Sequence, residues 1–469
     1  MQRFIILHSN DIHGRIEGLA RIATLIDEIR AANPAVPVIY LDGGDSEETS
    51  RRLSNLTKGV AMHHLLSAAG CAAAAVGNAG LPRYGVEVLA EYAAAASYPL
   101  LLANLRLDDG APLPGAQPVV TLAVGDLRLG VIGLTADIDT YSQFFGLSVW
   151  PALPLVRDLA AALRQDGADA VMVLSHMGLP ADRELAAGLQ DDVSLILGAH
   201  THDLLPEGEW VGTVLVAQAG EYAEHLGRID LAWDGEQLSV ESVRVLPVPE
   251  TTAPSAPVMA VAAAQEAAAE HFLEEMIGEL AAPLDWAADR ECGVGNFMAD
   301  VLRERMGADV GLLSVGQAFS GPLPGGPLPR VALWDVCASP ANPGVADLTG
   351  AQLLALVARG VDPAFAAEQP RPLRGQARGW LHLSGATVRA GRLLVGGVPV
   401  DPQRVYRVAA TDWELDPYGG YHDESWDLHP RYDIPTILRE AAEAYLAAHR
   451  PLLVAMGRID EPLAEAPGM

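Results

Sequence analysis

The sequence predicts an α/β protein in two domains, a larger one followed by a smaller one. Three observations carry this expectation. The chain has 469 residues, more than one ordinary core needs and enough for two full hydrophobic interiors. Its first half alternates short apolar runs with longer amphipathic stretches, the pattern of a sheet covered on its faces by helices. Near residue 246 that rhythm breaks into the proline- and threonine-rich "LPVPETTAPSAP", which has linker composition.

Taken in order, "FIILHSN" reads as a strand, "ARIATLIDEIRAA" as a helix and "PVIYLDGGD" as a second strand. "GVAMHHLLSAAG" reads as a helix in which His63 and His64 are ordinary helix residues. A strand of small residues follows in "AAAAVGN", then the helix "VEVLAEYAAAA" and the apolar run "LLLANL", where Asn104 is taken as structural. Further strands are expected at "LRLGVIGLT", "VMVLSHMG" and "SLILGAHTH". Beyond the linker, "VMAVAAAQEAAAEHFLEEMIGEL" reads as one alanine-rich helix leading into a second α/β region. The expected domains are residues 1–247 and 283–469, with 248–282 as linker and connecting helix.

Composition narrows the function. The net charge of −29 argues against a polymeric nucleic acid as partner, because such binders set positive charge against phosphates. A small anionic substrate stays open where a metal or a local site reverses the field. The three cysteines, Cys71, Cys292 and Cys337, are far apart, so neither a disulfide framework nor a cysteine zinc site is indicated. The opening "MQRFIILHSNDIHG" has no leader pattern, and no run of eighteen apolar residues occurs. The expectation is a cytoplasmic protein without a membrane span.

Open α/β sheets bind ligands beyond the carboxyl ends of their strands. Five apolar runs here end in metal-competent side chains: Asp11 and His13, Asp45, Asn78, His176, and His200 with His202. Mixed nitrogen and oxygen donors without thiolate suit manganese, iron, zinc or cobalt, and a shared carboxylate suits two ions a few ångströms apart. Each residue alone reads as a cap or loop residue, and Asn78 alone as a turn asparagine. The seven together point to a metal centre.

The motifs "NDIHG", "GGD", "GN", "LSHMG" and "GAHTH", in this order and spacing, resemble the two-metal calcineurin-like metallophosphoesterases, and within them the 5′-nucleotidase family. Downstream, "GVGNFMADVLRERMGADVGLL", "SPANPGVADLTGAQLLALV" and "WLHLSGATV" are similar to that family's C-terminal substrate domain. The resemblance implies a four-layer sandwich of two mixed sheets flanked by helices, then a smaller α/β substrate-binding domain. It implies a divalent ion held by Asp11, His13, Asp45 and His202, and a second held by Asp45, Asn78, His176 and His200. Asp45 bridges them in this reading, and Asp45 and Asn78 serve catalysis most directly. The implied activity is hydrolysis of phosphate esters of small molecules, nucleotides first. A catalytically weak metal- and nucleotide-binding protein and a phosphodiesterase are the alternatives.

The sequence also departs from the family pattern. The typical histidine after the asparagine is Ala79 here, as in a cytoplasmic branch of relatives that lacks it. A general acid contributes roughly 10²–10⁴-fold to rate. Its loss is expected to slow reactions whose leaving group needs a proton. In the second domain Phe319 stands where an arginine is expected, and Ala341 beside Asn342 replaces an aromatic. Arg374 and Arg378 are candidates for a phosphate tail, and Trp413 and Tyr421 for stacking on a base.

Overall fold

The computed structural model describes residues 1–369 and 377–460. The chain divides into two compact units, one from Met1 to Ala269 and one beginning at Glu270.

The first unit is built on two six-stranded mixed sheets. In one, Gln2–Ser9, Val38–Asp42, Cys71–Ala75 and Leu100–Leu101 run parallel, with His225–Trp233 and Leu238–Pro247 added antiparallel at one edge. In the other, Leu127–Thr135, Ala170–His176, Leu195–Leu197 and Val214–Ala217 are parallel, and Val119–Val124 and Glu209–Val211 close the two edges antiparallel.

The facing surfaces of the sheets form one core, with Phe4, Ile6, Leu41, Ala73 and Ala75 meeting Val131, Met172, Leu174 and Leu197. Helices Ile16–Ala32, Val60–Ala68 and Val88–Ala95 bury Leu19, Ile22, Leu65 and Leu89 on the outer side of the first sheet. Helices Ala152–Gln165 and Leu179–Gly188 do the same for the second, through Val156, Ala160 and Leu185. The result is helix, sheet, sheet, helix: the four-layer sandwich that the resemblance implied.

The helix expected after the linker is one element shorter than its sequence suggests. It spans Ala256–Glu274, and "MIGEL" leaves it as the strand Met276–Leu280, which pairs antiparallel with Gly326–Pro329. A glycine at 278 and a β-branched neighbour, Ile277, favour that exit. Val258 and Ala262 are buried in the first unit's core, so this stretch packs as part of that unit and the boundary between units falls inside the helix.

The second unit carries a five-stranded sheet ordered Leu381–Ser384, Val310–Ser314, Val405–Thr411, Pro343–Thr349 and Arg431–Tyr432. Only the pair 310–314 and 405–411 is parallel. Helices Gly293–Arg305 and Leu438–Ala448 contribute to one core and helix Gly350–Gly360 to another. Among the described residues no helix is long and apolar enough to cross a membrane.

Ala73 and Ala75 of strand 71–75 matter because they lie between the sheets. Ala73 is fully buried there. Ala73→Leu is expected to cost about 1–3 kcal/mol through overpacking, read as a lower midpoint in urea unfolding with an unchanged slope.

Candidate metal centre

The loops after strands 2–9 and 38–42 are laced together by backbone. Beyond the paired residues Ser9 and Asp42, the Asp11 N–H donates to Gly44 O (3.0 Å), the His13 N–H to Asp45 O (3.0 Å) and the Gly14 N–H to Ser46 O (2.8 Å). The ladder therefore continues past the strands, but on a backbone bent into left-handed geometry. Asp11, His13, Asp45, His200 and His202 have φ of 51, 46, 53, 77 and 60°. Non-glycine residues adopt such angles rarely, and they gather at functional sites. Gly77 shows the same crowding from the other side. A Cβ there would run into the Asp45 carboxylate and backbone nitrogen, so only glycine lets the Asn78 loop lie against Asp45.

Two trios of side chains result. Asp11, His13 and His202 can each offer one ligand atom within 4.8 Å of the others, and so can Asp45, His176 and His200. In the first, Asp11 Oδ1 lies 3.8 Å from His13 Nε2 and 3.4 Å from His202 Nε2, and the two Nε2 atoms stand 3.3 Å apart. In the second, Asp45 Oδ2 is 3.2 Å from His176 Nε2. Asp11 Oδ1 also comes to 4.0 Å from His176 Nε2, which sets the trios side by side. Asp45, the expected bridge, groups within 4.8 Å with the second trio.

Hydrogen bonds set which nitrogen of each ring faces inward. The His13 Nδ1–H donates to Glu47 O (3.2 Å), the His176 Nδ1–H to Gly43 O (2.8 Å) and the His202 Nδ1–H to the Glu221 carboxylate. Each leaves its Nε2 lone pair for the site, which is how metal-binding histidines are usually oriented. Neutral His13 and His202 thus aim acceptors at one another, a contact that only a proton or a cation stabilises. Three buried polar atoms here have no hydrogen-bond partner at all: Asp11 Oδ1, His176 Nε2 and Asn78 Oδ1. Uncompensated burial of such atoms costs a few kcal/mol each unless an ion satisfies them. The donor set fits divalent cations.

The protonation equilibria agree. Burial disfavours charge on both members of the Asp45–His176 pair, but their mutual attraction at 3.2 Å wins, so the Asp45 carboxyl is held low and the His176 imidazole high. The close approach of the Asp11 carboxylate at 3.4 Å, opposed by burial and helped by Glu221, raises His202 to about 9. Burial, together with the nearby His176, lowers His200. Without a cation, protons occupy part of its place.

Glu221 was not singled out from the sequence, and nothing there flags it. It follows a strand by several residues and reaches His202 across a turn. Tyr222 was missed too. Its ring sits edge-on to His13 and His202, both at 5.7 Å, beneath the Arg15 guanidinium at 3.9 Å. A cavity of about 710 Å³ opens beside these residues, lined by Arg15, Arg51, Tyr222 and Met259 among others. Asn104 bonds both backbone groups of Thr135, at 2.8 Å each, as a structural residue does.

The residues proposed to bind substrate in the second unit are mostly engaged in packing. Trp413 and Tyr421 are buried core members, and the Tyr421 hydroxyl is taken by Ser314. Arg378 bonds Glu368 (3.1 Å) and Gly419 O, and stacks on Phe365 at 4.2 Å. Asn342 donates to Thr436 O (2.7 Å). Buried Phe319 lines a mostly apolar cavity of about 600 Å³ with Trp286, Val336 and Pro340. Arg374 lies outside the described residues.

Residues 276–422 match the family model described as "5′-nucleotidase, C-terminal domain". The chain is 26% identical over 460 residues to an uncharacterized metallophosphoesterase, YunD, of Bacillus subtilis, covering 94% of this chain and 96% of that one. It is 27% identical over 345 residues to a 5′-nucleotidase of Diplobatis ommata, where the match covers 63% of this chain and 58% of the relative. Among solved structures, the NAD nucleotidase of Haemophilus influenzae superposes with a TM-score of 0.58 at 15% identity, over 97% of this chain and 99% of that one, which speaks to the fold.

Cation loading has a signed pH dependence. Because His176 and His202 hold protons more tightly than free histidine, a cation must displace them. Affinity for Mn²⁺ is expected to rise from pH 6 towards pH 9, and loading at pH 7 to release protons. Calorimetry in two buffers of different ionisation enthalpy measures both.

Proposed function

We infer that this chain, which carries a 5′-nucleotidase C-terminal domain behind a metallophosphoesterase-like first unit, is a metal-dependent phosphoesterase acting on small phosphorylated molecules. Nucleotides are the first substrates to consider, given the names its relatives bear. The observation that carries this reading is the pair of buried, partnerless ligand atoms Asp11 Oδ1 and His176 Nε2 in one cluster of carboxylates and histidines, with the equally partnerless Asn78 Oδ1 on the loop whose neighbours Gly77 and Ala79 lie against Asp45.

In our reading the cluster takes two divalent ions, manganese, zinc, iron or cobalt. Asp11, His13, Asp45 and His202 hold one and Asp45, Asn78, His176 and His200 the other, with Asp45 shared. Such ions supply an activated water and neutralise charge on the phosphoryl oxygens. The chain's own part is positional. Glu221 and the carbonyls of residues 43 and 47 hold the imidazoles in register, and Asp45 is fixed by the Ala79 N–H at 2.7 Å.

Ala79 sets the expected preference. Its N–H is spent on Asp45 and its methyl group has no ionisable proton, so the residue after Asn78 cannot protonate a departing oxygen. Leaving groups that are stable as anions are favoured: the phosphate of a nucleotide in a diphosphate, or an aryl oxide. A ribose alkoxide is a poor leaving group without a proton.

With Mn²⁺ bound, a nucleotide sugar and an aryl phosphate are expected to turn over at least ~10²-fold faster than a nucleoside monophosphate. Ala79→His narrows that gap by accelerating the monophosphate. Equal rates in the parent chain overturn the preference. No hydrolysis of any of them by the metal-loaded protein, with an Asp45→Ala control, overturns the enzyme and leaves the binding protein.

A further inference from the structure

The segment carrying Asp45 continues into Glu47, and Glu47 is anchored by a residue far from the metal-binding motifs. Glu47 is only 6% exposed, and its Oε1 lies 2.6 Å from Nε2 of His63, itself 4% exposed on helix Val60–Ala68. The other nitrogen of His63 is 3.0 Å from the Tyr98 hydroxyl, and its ring packs on Tyr92 at 4.2 Å. Tyr92 is anchored in turn, donating its hydroxyl to Lys58 O at 2.7 Å. The backbone carbonyl of the same Glu47 receives the His13 Nδ1–H. One residue therefore takes a hydrogen bond on its side chain from the helix and one on its main chain from a ligand of the metal centre.

We propose that His63 and Glu47 form a buried positioning pair that holds the Glu47 carbonyl where it fixes the His13 imidazole, and so sets the affinity of the Asp11–His13–His202 ion specifically. The inference rests on the metal-centre reading above. A histidine inside an apolar helix usually only packs, but this one has both ring nitrogens bonded, and one bond goes to a carboxylate. The carboxylate cannot turn to solvent without breaking that bond. It therefore locks the rotation of the peptide whose oxygen selects the tautomer of His13. The second trio is not oriented this way: His176 leans on Gly43 O, and Asp45 on the Ala79 N–H.

The test is Mn²⁺ titration calorimetry and the visible spectrum of the Co²⁺-loaded protein, on the full chain and its variants. His13→Ala identifies which binding step belongs to the first trio. Glu47→Ala and His63→Phe are each expected to weaken that step by roughly 10–100-fold, the usual effect of removing a group that orients a ligand, and to shift the Co²⁺ bands while leaving the other step in place. The double variant loses no more than either single one, because both changes break one device. Glu47→Gln, which keeps an acceptor for His63, retains most of the affinity. Should His63→Phe fail to fold, Tyr98→Phe carries the test with a smaller loss at the same step. Unchanged Mn²⁺ affinities alongside a lowered melting temperature, equal losses at both steps, or additive losses in the double variant overturn the proposal. A parent chain that takes up neither Mn²⁺ nor Co²⁺ defeats the metal centre itself, a different result from variants that bind as the parent does.

Discussion

Burial of charge without compensation is the constraint on which the first unit depends. Asp11 is fully buried and one of its oxygens has no donor. His176 is fully buried as well, with Nε2 unpartnered. In an ordinary core these would be faults, since each lost solvation shell must be replaced. Here they are neighbours, and the backbone around them is committed to keeping them so. The bent ladder between residues 11–14 and 44–46, and the close approach of Gly77 to Asp45, exist to hold these groups in place. The sandwich behind them supplies rigidity, because two sheets locked face to face over Ala73, Ala75 and Met172 give the loops a fixed base.

Much of this was legible in the sequence because the physics is local. A strand that ends in Asp-x-His or His-x-His announces both its direction and its cargo, and the alternation of apolar runs with amphipathic helices was enough for the layered build. What escaped is contact made across the chain by side chains of ordinary type. Glu221 and Glu47 are acidic residues among sixty, and only coordinates distinguish a carboxylate that grips an imidazole from one in solvent. His63 was read as an ordinary helix residue, since helical spacing says which face is buried and not what lies opposite.

The second unit shows the converse error. Trp413 and Tyr421 have the flat apolar rings that a nucleobase stacks on, yet both are core residues of their own unit. Arg378 bonds and stacks within the protein. Residue type indicates capacity for binding, and exposure decides whether the capacity is available. The mismatch matches the departures at Phe319 and Ala341, both buried. The second unit thus matches the model described as "5′-nucleotidase, C-terminal domain" while the side chains read as nucleotide contacts are taken up within the protein.

Five of the candidate ligands, Asp11, His13, Asp45, His200 and His202, occupy backbone angles that suit glycine. Each such residue carries a penalty on the order of 1 kcal/mol, so this corner of the molecule is less stable than a simpler sequence would make it. Glycine at positions 11, 13, 45, 200 and 202 would relieve that strain and remove the side chains the site is built from. The strain and the donors fall on the same five positions, so the backbone that weakens this corner is also what brings its donors together.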